Sequence, residues 1–196
     1  MNSKTSDTRQ QILNVGYQLV VNQGFTAVGL SLLLKEAGVP KGSFYHYFKS
    51  KEQFGQALIE SYFQHYLAQL EAIVGNRAQS GYQSLLDYFS RWLTVEQGVC
   101  NANRCLVVKL SAEVSDLSDS MRHALSVGAQ RVIATLAEAI QRGIEDGSIE
   151  VADAAATAQQ LYQQWLGASL LNKLMQDQHH LEHCLASTKQ ILRRQA

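Results

Sequence analysis

Residues 38–54 have the sequence GVPKGSFYHYFKSKEQF, in which three lysines and one histidine are interspersed among five phenylalanine and tyrosine rings. A buried core rarely contains lysine, and a fully solvated surface rarely carries so many rings. Hydroxyl and ammonium groups bind phosphate oxygens, and lysine and serine also donate to base edges. We therefore interpret the stretch as a surface that contacts a polyanion.

The flanking residues predict the elements that position this surface. Apolar residues at helical spacing predict helices over residues 8–22, 30–37 and 41–48. Gly38 is placed to end the second helix, and Pro40 to lie in the first turn of the third. Two helices joined by a tight glycine-containing turn form a helix-turn-helix, whose second helix enters the major groove of DNA.

The third helix has one apolar side and one polar side. Phe44 and Phe48 are one turn apart and are predicted to anchor this helix to a small core. The residues predicted to face DNA are Lys41, Gly42, Ser43, Tyr45, His46, Tyr47 and Lys51. The alternative interpretation is a helical hairpin whose aromatic residues serve only as core.

The basic residues are unevenly distributed along the chain. Residues 1–51 contain six Lys and Arg against two acidic residues, a net charge of +4, while the rest contains eleven basic and fifteen acidic residues, a net charge of −4. A formal net charge of zero thus hides a basic N-terminal part, which favours binding to a polyanion.

The thiol of Cys105 is the second group with reactive chemistry. Asn101 or Asn103 is placed to cap a helix, which would put the thiol in its first turn, where the helix dipole favours the thiolate. Arg104 and Lys109 would add positive potential. A thiolate attacks quinones, maleimides and aldehydes, and it is the form that oxidises to sulfenic acid. The alternative is a small buried cysteine packed among apolar neighbours.

Other candidate sites are weaker. Cys100 is the second candidate thiol and Cys184 the third, and three cysteines argue against a disulfide framework. His179 and His183 are four residues apart, a spacing that can bind a metal, but no third ligand is apparent. No signature of a hydrolase is present. We therefore predict no metal, no cofactor and no catalytic residues.

The whole chain is predicted to be all-α. It has 196 residues, 46% of them apolar, and a single proline, a composition that favours helices around a large core. A fourth helix is predicted after Ser50, which with Gln53 forms a capping box, and Asp7 or Thr8 is placed to cap the first helix. The remaining helices are predicted over residues 81–97, 103–114, 118–146, 152–176 and 179–194, with no strand. The chain has no apolar stretch of membrane-spanning length and no signal-like N-terminus, so we expect a cytoplasmic protein.

The segment GFTAVGLSLLLKEAGVPKGSFYHYFKSKEQF, residues 24–54, resembles the N-terminal domain of TetR-family transcriptional regulators. The resemblance extends over residues 8–56 and implies a homodimeric all-α repressor of about nine helices. It assigns DNA binding to a helix-turn-helix domain, residues 1–51, and effector binding and dimerisation to a helical domain, residues 52–196. The DNA-contacting positions it implies are those named above. On the second helix the family commonly has a polar or basic residue at position 31, and Ser31 is the candidate there.

The C-terminal part is similar to one branch of this family. NANRCLVVKLSAEVSDLSDSMR, residues 101–122, and YQQWLGASLLNK, residues 162–173, resemble the NemR-like branch, repressors of N-ethylmaleimide reductase that respond to electrophiles and oxidants. By position, the resemblance makes Cys105 the sensing thiol and Lys173 its partner. By family analogy, Gly167 and Ala168 form the dimer seam together with the last helix.

Residues and resemblance together predict a repressor that binds a palindromic double-stranded DNA operator as a homodimer. A small electrophile or other small-molecule inducer releases it, through modification of Cys105. The predicted effector residues are Cys105, Lys109, Lys173, Trp165, Tyr162 and Cys100; Tyr88 and Trp92 are further aromatic candidates. One alternative is a repressor released by a reversible, non-covalent ligand, and a more remote one is a thiol-dependent enzyme. We expect no membrane partner, and association with the nucleoid through DNA.

Overall fold

The computed structural model describes residues 3–96 and 98–192. Within these ranges the chain forms nine α-helices, two 3-10 helices and one short β-hairpin, which confirms the all-α class. The α-helices are α1 Ser3–Gln23, α2 Leu30–Ala37, α3 Lys41–Tyr47, α4 Lys51–Val74, α5 Gly81–Ser90, α6 Leu106–Ser115, α7 Asp119–Glu145, α8 Ala154–Met175 and α9 His179–Leu192. No helix in the described part of the chain is both long enough and apolar enough to span a membrane.

The helices pack into two compact units. The first comprises the chain up to His65 together with Lys109–Gly128, and the second comprises Tyr66–Val108 and the chain from Ala129 onward. The first unit is larger than the predicted DNA-binding domain, residues 1–51, and that functional boundary stays a prediction.

Two predictions for α1 have different outcomes. The helix begins at Ser3, so Asp7 and Thr8 lie inside it and do not cap it. Gly24 ends the helix as predicted, because its φ of 88° turns the chain away while its N–H still donates to the Val20 carbonyl at 2.9 Å.

The helix-turn-helix has nearly the predicted bounds. Gly38, with φ 62°, ends α2, and its N–H donates to the Lys35 carbonyl at 3.1 Å. Pro40 directly precedes α3 rather than lying in its first turn. Phe48 has an extended backbone, so α3 is one residue shorter than predicted.

The start of α4 is capped as predicted. The Ser50 hydroxyl accepts a hydrogen bond from the Gln53 N–H at 3.1 Å, and the Gln53 side chain accepts one from the Lys49 N–H at 2.6 Å. These bonds satisfy backbone donors that the helix start leaves free. On the same helix Phe54 and Leu58 are buried.

The core of the second unit is built around Trp165 on α8. Its ring stacks on Phe89 of α5 with centroids 4.9 Å apart and meets Trp92 at 5.6 Å. Its indole N–H donates to the Thr188 hydroxyl of α9 at 3.0 Å. Through these contacts Trp165 connects α8 to α5, to Trp92 and to α9, and its ring is fully buried with its polar atom hydrogen-bonded.

The predicted helix over residues 81–97 is wrong at its C-terminal end. α5 ends at Ser90 and a 3-10 turn covers Arg91–Leu93, after which Val95–Glu96 (β1) pairs antiparallel with Val99–Cys100 (β2). Gly98 has φ 76° in the connection, a conformation that glycine adopts without strain. The expectation of no strand is therefore also wrong.

Candidate nucleic-acid interface and thiol site

Three phenylalanines hold α3 on the first unit. Phe44 and Phe48 have ring centroids 5.3 Å apart, and Phe54 of α4 lies 5.8 Å from the first and 5.4 Å from the second. Each is only 1% exposed. The anchoring role predicted for Phe44 and Phe48 is confirmed, and it fixes which side of α3 faces outward.

The outward side of α3 is polar. Lys41, Gly42, Tyr45 and His46 are exposed, and Ser43 and Tyr47 are half-buried beside them; Ser31 on α2 is also exposed. Tyr45 is 50% exposed, with the Lys41 ammonium 5.9 Å from its ring centroid. A Cβ added at Gly42 would meet no atom within 4 Å. The face thus combines ammonium, hydroxyl and imidazole donors around a position where another backbone can approach closely.

Lys51 differs from the other predicted DNA-contacting residues. Its ammonium donates to the Thr26 carbonyl at 3.2 Å and lies 4.8 Å from the centroid of the Phe25 ring. Partial burial lowers the pKa of Lys51, and the nearby Glu113 carboxylate opposes that shift. The side chain is therefore directed at the turn between α1 and α2.

Cys105 was predicted to lie in the first turn of a helix, and this prediction is wrong. A 3-10 helix covers Asn101–Arg104, and Cys105 follows it with an extended backbone, directly before α6 begins at Leu106. The Cys105 N–H donates to the Ala102 carbonyl at 3.3 Å. Asn101 and Asn103 lie within this 3-10 helix and so do not cap an α-helix at Cys105. The thiol still sits at the N-terminal end of α6, where the helix dipole favours an anion.

Two tyrosines interact electrostatically with the Cys105 thiol. Cys105 is 8% exposed, and its charge would interact with both Tyr88 of α5 and Tyr162 of α8. Burial raises the pKa of both tyrosines far above the usual range. The Tyr88 hydroxyl is also hydrogen-bonded to the Tyr66 hydroxyl at 2.5 Å. Both phenols therefore stay protonated and can donate hydrogen bonds in the same region as the sulfur.

Two of the three predicted cationic neighbours of Cys105 interact with other groups. Arg104 forms a salt bridge with Glu96 at 3.3 Å and donates to the Glu96 carbonyl at 2.9 Å, so much of its charge is compensated. Lys109 is half-buried and helps to lower the pKa of Glu113. Lys173 is exposed in the last turn of α8, and its pairing with Cys105 stays a prediction.

The end of α8 does reach the 3-10 turn that precedes Cys105. The side-chain amide of Asn172, next to Lys173, donates to the Asn103 side-chain oxygen at 3.0 Å. The two chain segments that resemble the NemR-like branch thus meet in the second unit.

The other two thiols are also buried. The Cys100 thiol is buried and donates to the Trp92 carbonyl at 3.1 Å. Burial raises the pKa of Cys184 on α9 to about 11, so at neutral pH it is a protonated thiol. Trp165, predicted as an effector residue, is 0% exposed and hydrogen-bonded in the core.

Comparison with known proteins identifies the family. Residues 12–58 match the family described as bacterial regulatory proteins, tetR family, and residues 81–188 match the tetracyclin repressor-like C-terminal domain. The chain belongs to the TetR family. It is 42% identical over 194 residues to the HTH-type transcriptional repressor NemR of Escherichia coli (strain K12), covering 98% of each protein.

Two further comparisons agree. A crystal structure of E. coli NemR in its reduced form matches with a TM-score of 0.90 at 42% identity, covering 97% of this chain and 99% of that one. The transcriptional regulator AcuR of Cereibacter sphaeroides is 36% identical over 121 residues, 59% of this chain and 53% of AcuR. The predicted resemblance to the NemR-like branch is confirmed. These homologues are transcriptional regulators, so the chain is a TetR-family transcriptional repressor and not an enzyme.

Other features of this TetR-family chain lie apart from both sites. A groove of about 610 Å³ is lined by residues of α7, the α7–α8 connection and the start of α8, and no predicted effector residue lines it. Across the described ranges, no group of three or more His, Cys, Asp or Glu side chains is arranged to hold a metal ion.

Sequence reasoning missed two residues near the DNA-binding elements. Arg9 of α1 is exposed and places its guanidinium 5.4 Å from the centroid of the Phe48 ring. Glu113 of α6 accepts hydrogen bonds from the turn between α1 and α2. The only sequence signal for Arg9 was its contribution to the basic N-terminal charge, and Glu113 had none.

Proposed function

We propose that the chain binds a palindromic DNA operator as a homodimer through α3 and that an inducer acting at Cys105 releases it. The polar outer face of α3, fixed by the buried Phe44, Phe48 and Phe54, is the observation that carries the proposal. In such dimers the second helix of each helix-turn-helix enters a major groove. The two half-sites lie about one turn of the DNA helix, roughly 34 Å, apart. Bound in this way, the protein associates with the nucleoid.

The side chains of this face have distinct roles. Lys41 donates to guanine O6 and N7, and Tyr45 and His46 contact further base edges. Ser31, Ser43 and Tyr47 donate hydroxyl hydrogens to phosphate oxygens, which fix the register of the helix on the duplex. Gly42 leaves the space that the DNA backbone needs.

An apolar stripe on α8 supports homodimer formation. Leu170, Leu171, Leu174 and Met175 are 55%, 38%, 73% and 57% exposed, an unusual concentration for the last two turns of one helix. A Cβ added at Gly167, one turn earlier, would meet no atom within 4 Å, so a second helix can approach there. Ala168 faces the core of its own protomer instead. The proposed dimer contact therefore consists of Gly167, Leu170, Leu171, Leu174 and Met175.

The proposed trigger is alkylation of Cys105 by an electrophile, or its two-electron oxidation to a sulfenic acid by a peroxide, which is reduced to water or an alcohol. In alkylation the thiolate sulfur bonds to the β-carbon of an unsaturated carbonyl compound, the carbon–carbon π bond breaks, and the resulting enolate takes up a proton. No oxidant is required. The relative NemR has a form described as reduced, which supports a redox-active group in that protein.

The adduct has a physical consequence because Cys105 is 8% exposed. A close-packed site has no spare volume for several added heavy atoms, so neighbouring groups must move. Candidates for this movement are Tyr88 and Tyr162, which interact electrostatically with Cys105, and the first turn of α6, which directly follows it. A small change in the separation of the two α3 helices is enough for release, since both must fit one rigid duplex.

Fluorescence anisotropy with DNA from upstream of the chain's own gene tests operator binding. We expect Lys41→Ala and Tyr45→Ala to weaken specific binding about 5- to 150-fold, a loss of about 1–3 kcal/mol. The matched control is Lys35→Ala, which removes the same charge from α2, and its affinity should stay near that of wild type. Absence of wild-type binding at low salt, or unchanged affinity of both α3 variants, would refute the proposal.

A second experiment tests the trigger. Cys105→Ser should bind the operator normally and resist release by N-ethylmaleimide, whereas the control Cys184→Ser should be released as wild type is. Two buried, protonated phenols that interact electrostatically with Cys105 also fit a second candidate, a reversible ligand that hydrogen-bonds Tyr88 or Tyr162. Release that persists in Cys105→Ser and reverses on dialysis without reductant would establish that alternative.

A further inference from the structure

The turn between α1 and α2 is held by a carboxylate from a distant part of the chain. The N–H groups of Phe25 and Thr26 donate to the two oxygens of Glu113 at 3.0 and 2.5 Å. Glu113 lies on α6, 88 residues from Phe25. Charged acceptors make the stronger class of hydrogen bond, and these two bonds satisfy donors that no helix uses.

Lys51 at the start of α4 holds the other polar side of the same turn. Its ammonium donates to the Thr26 carbonyl at 3.2 Å and covers the Phe25 ring at 4.8 Å. The Glu113 carboxylate and the Lys51 ammonium also attract each other. Donors and acceptor of the turn are therefore each bound by a side chain of the appropriate charge.

The turn fits its surroundings closely. A Cβ added at Gly24 would lie 3.1 Å from a Glu113 carboxylate oxygen. A Cβ added at Gly55 of α4 would lie 2.7 Å from both the Phe25 ring and the Met121 side chain. Because both positions are glycine, the Glu113 carboxylate and the Phe25 ring can pack this closely against the backbone.

We propose that Glu113 and Lys51 are positioning residues for DNA binding, which hold the α1–α2 turn from two sides and thereby set the position of α2 and α3. Lys51 contributes by holding this turn and not by binding a phosphate. This inference rests on the proposed operator binding.

Salt-dependent operator binding separates positioning from phosphate contact. A residue that neutralises one phosphate changes the slope of log K against log salt by about 0.9 when it is removed. Lys51→Met keeps the apolar stem over Phe25 and should weaken binding about tenfold with an unchanged slope. The matched variant Lys41→Met removes the same charge from the DNA-facing side of α3 and should flatten the slope. A flattened slope for Lys51→Met would overturn the positioning role.

Glu113→Gln tests the carboxylate while keeping an acceptor oxygen, and far-UV circular dichroism checks that the variant is folded. We expect about tenfold weaker operator binding and faster hydrogen exchange at the Phe25 and Thr26 amides.

In the Glu113→Gln, Lys51→Met double variant the losses of operator affinity should be less than multiplicative, because both side chains act on one turn. Wild-type affinity and exchange in Glu113→Gln would overturn the inference. Failure of wild type itself to bind DNA would instead refute the proposed function, and the exchange measurement would still decide on the turn.

Discussion

Replacing Leu174 with arginine should separate the proposed homodimer into monomers. Leu174 is 73% exposed in the protomer and is the most exposed residue of the apolar stripe on α8. Burying a leucine side chain contributes about 1.5–3 kcal/mol, so covering the exposed part contributes about 1–2 kcal/mol per protomer. A two-fold interface contains the residue twice, so the loss is about 2–4 kcal/mol, before the cost of desolvating two arginines. The dissociation constant of the dimer should therefore rise about 30- to 700-fold.

Sedimentation velocity over a range of protein concentrations measures this shift. The matched control is Leu117→Arg, which introduces the same charge at an exposed leucine in the first unit and should leave the dimer intact. Operator affinity should fall together with dimerisation, because a monomer can occupy only one half-site. A wild type that sediments as a monomer, or a Leu174→Arg variant that dimerises as wild type does, would refute the reasoning.

Three further predictions concern individual contacts. Hydrogen bonds and Lys109 hold the pKa of Glu113 below 4.5 despite the opposing effect of partial burial. The carboxylate therefore stabilises the fold above about pH 4.5, and this contribution is lost as the pH falls through the lower pKa of the folded state. Below pH 4.5 the melting temperature of wild type should fall more steeply than that of Glu113→Gln. Parallel curves for the two proteins would contradict this. Alkylation of Cys184 in the folded protein, followed by peptide mass spectrometry, should be slow at pH 8 and accelerate toward its pKa of about 11; rapid labelling at pH 8 would be the contrary result. Thr188→Val leaves the buried Trp165 indole N–H without its acceptor and should lower the free energy of unfolding by about 1–3 kcal/mol in urea titrations, whereas an unchanged midpoint would show that the bond is not stabilising.

The helix-turn-helix was predictable because its signals are local. Gly38 and Pro40 mark the end of α2 and the start of α3 within three residues of each other, and both boundaries lie within one residue of prediction. Phe44 and Phe48 sit at helical spacing, so the buried side of α3 followed from the sequence as well. Local conformational preference and tertiary packing favour the same structure there.

Elements that depend on contacts outside the local helical pattern were not predictable from the sequence. Apolar spacing continues helically beyond Ser90, yet the chain forms a hairpin that is closed by the Asn101 N–H donating to the Thr94 carbonyl at 2.9 Å. The position of Cys105 before α6 depends on the preceding 3-10 turn, which packs against α8 through Asn103. Glu113 reaches a turn 88 residues away, and no periodic pattern in a single sequence indicates such a contact.

Modification of one thiol, Cys105, is proposed to remove the protein from DNA. The most direct test treats the protein with increasing amounts of N-ethylmaleimide. On the same samples, fluorescence anisotropy measures operator binding, and intact and peptide mass spectrometry measure the adduct and its position. We predict that operator affinity falls in proportion to a single adduct on Cys105. Full modification of Cys105 with unchanged operator affinity, or loss of binding before Cys105 carries any adduct, would contradict the account.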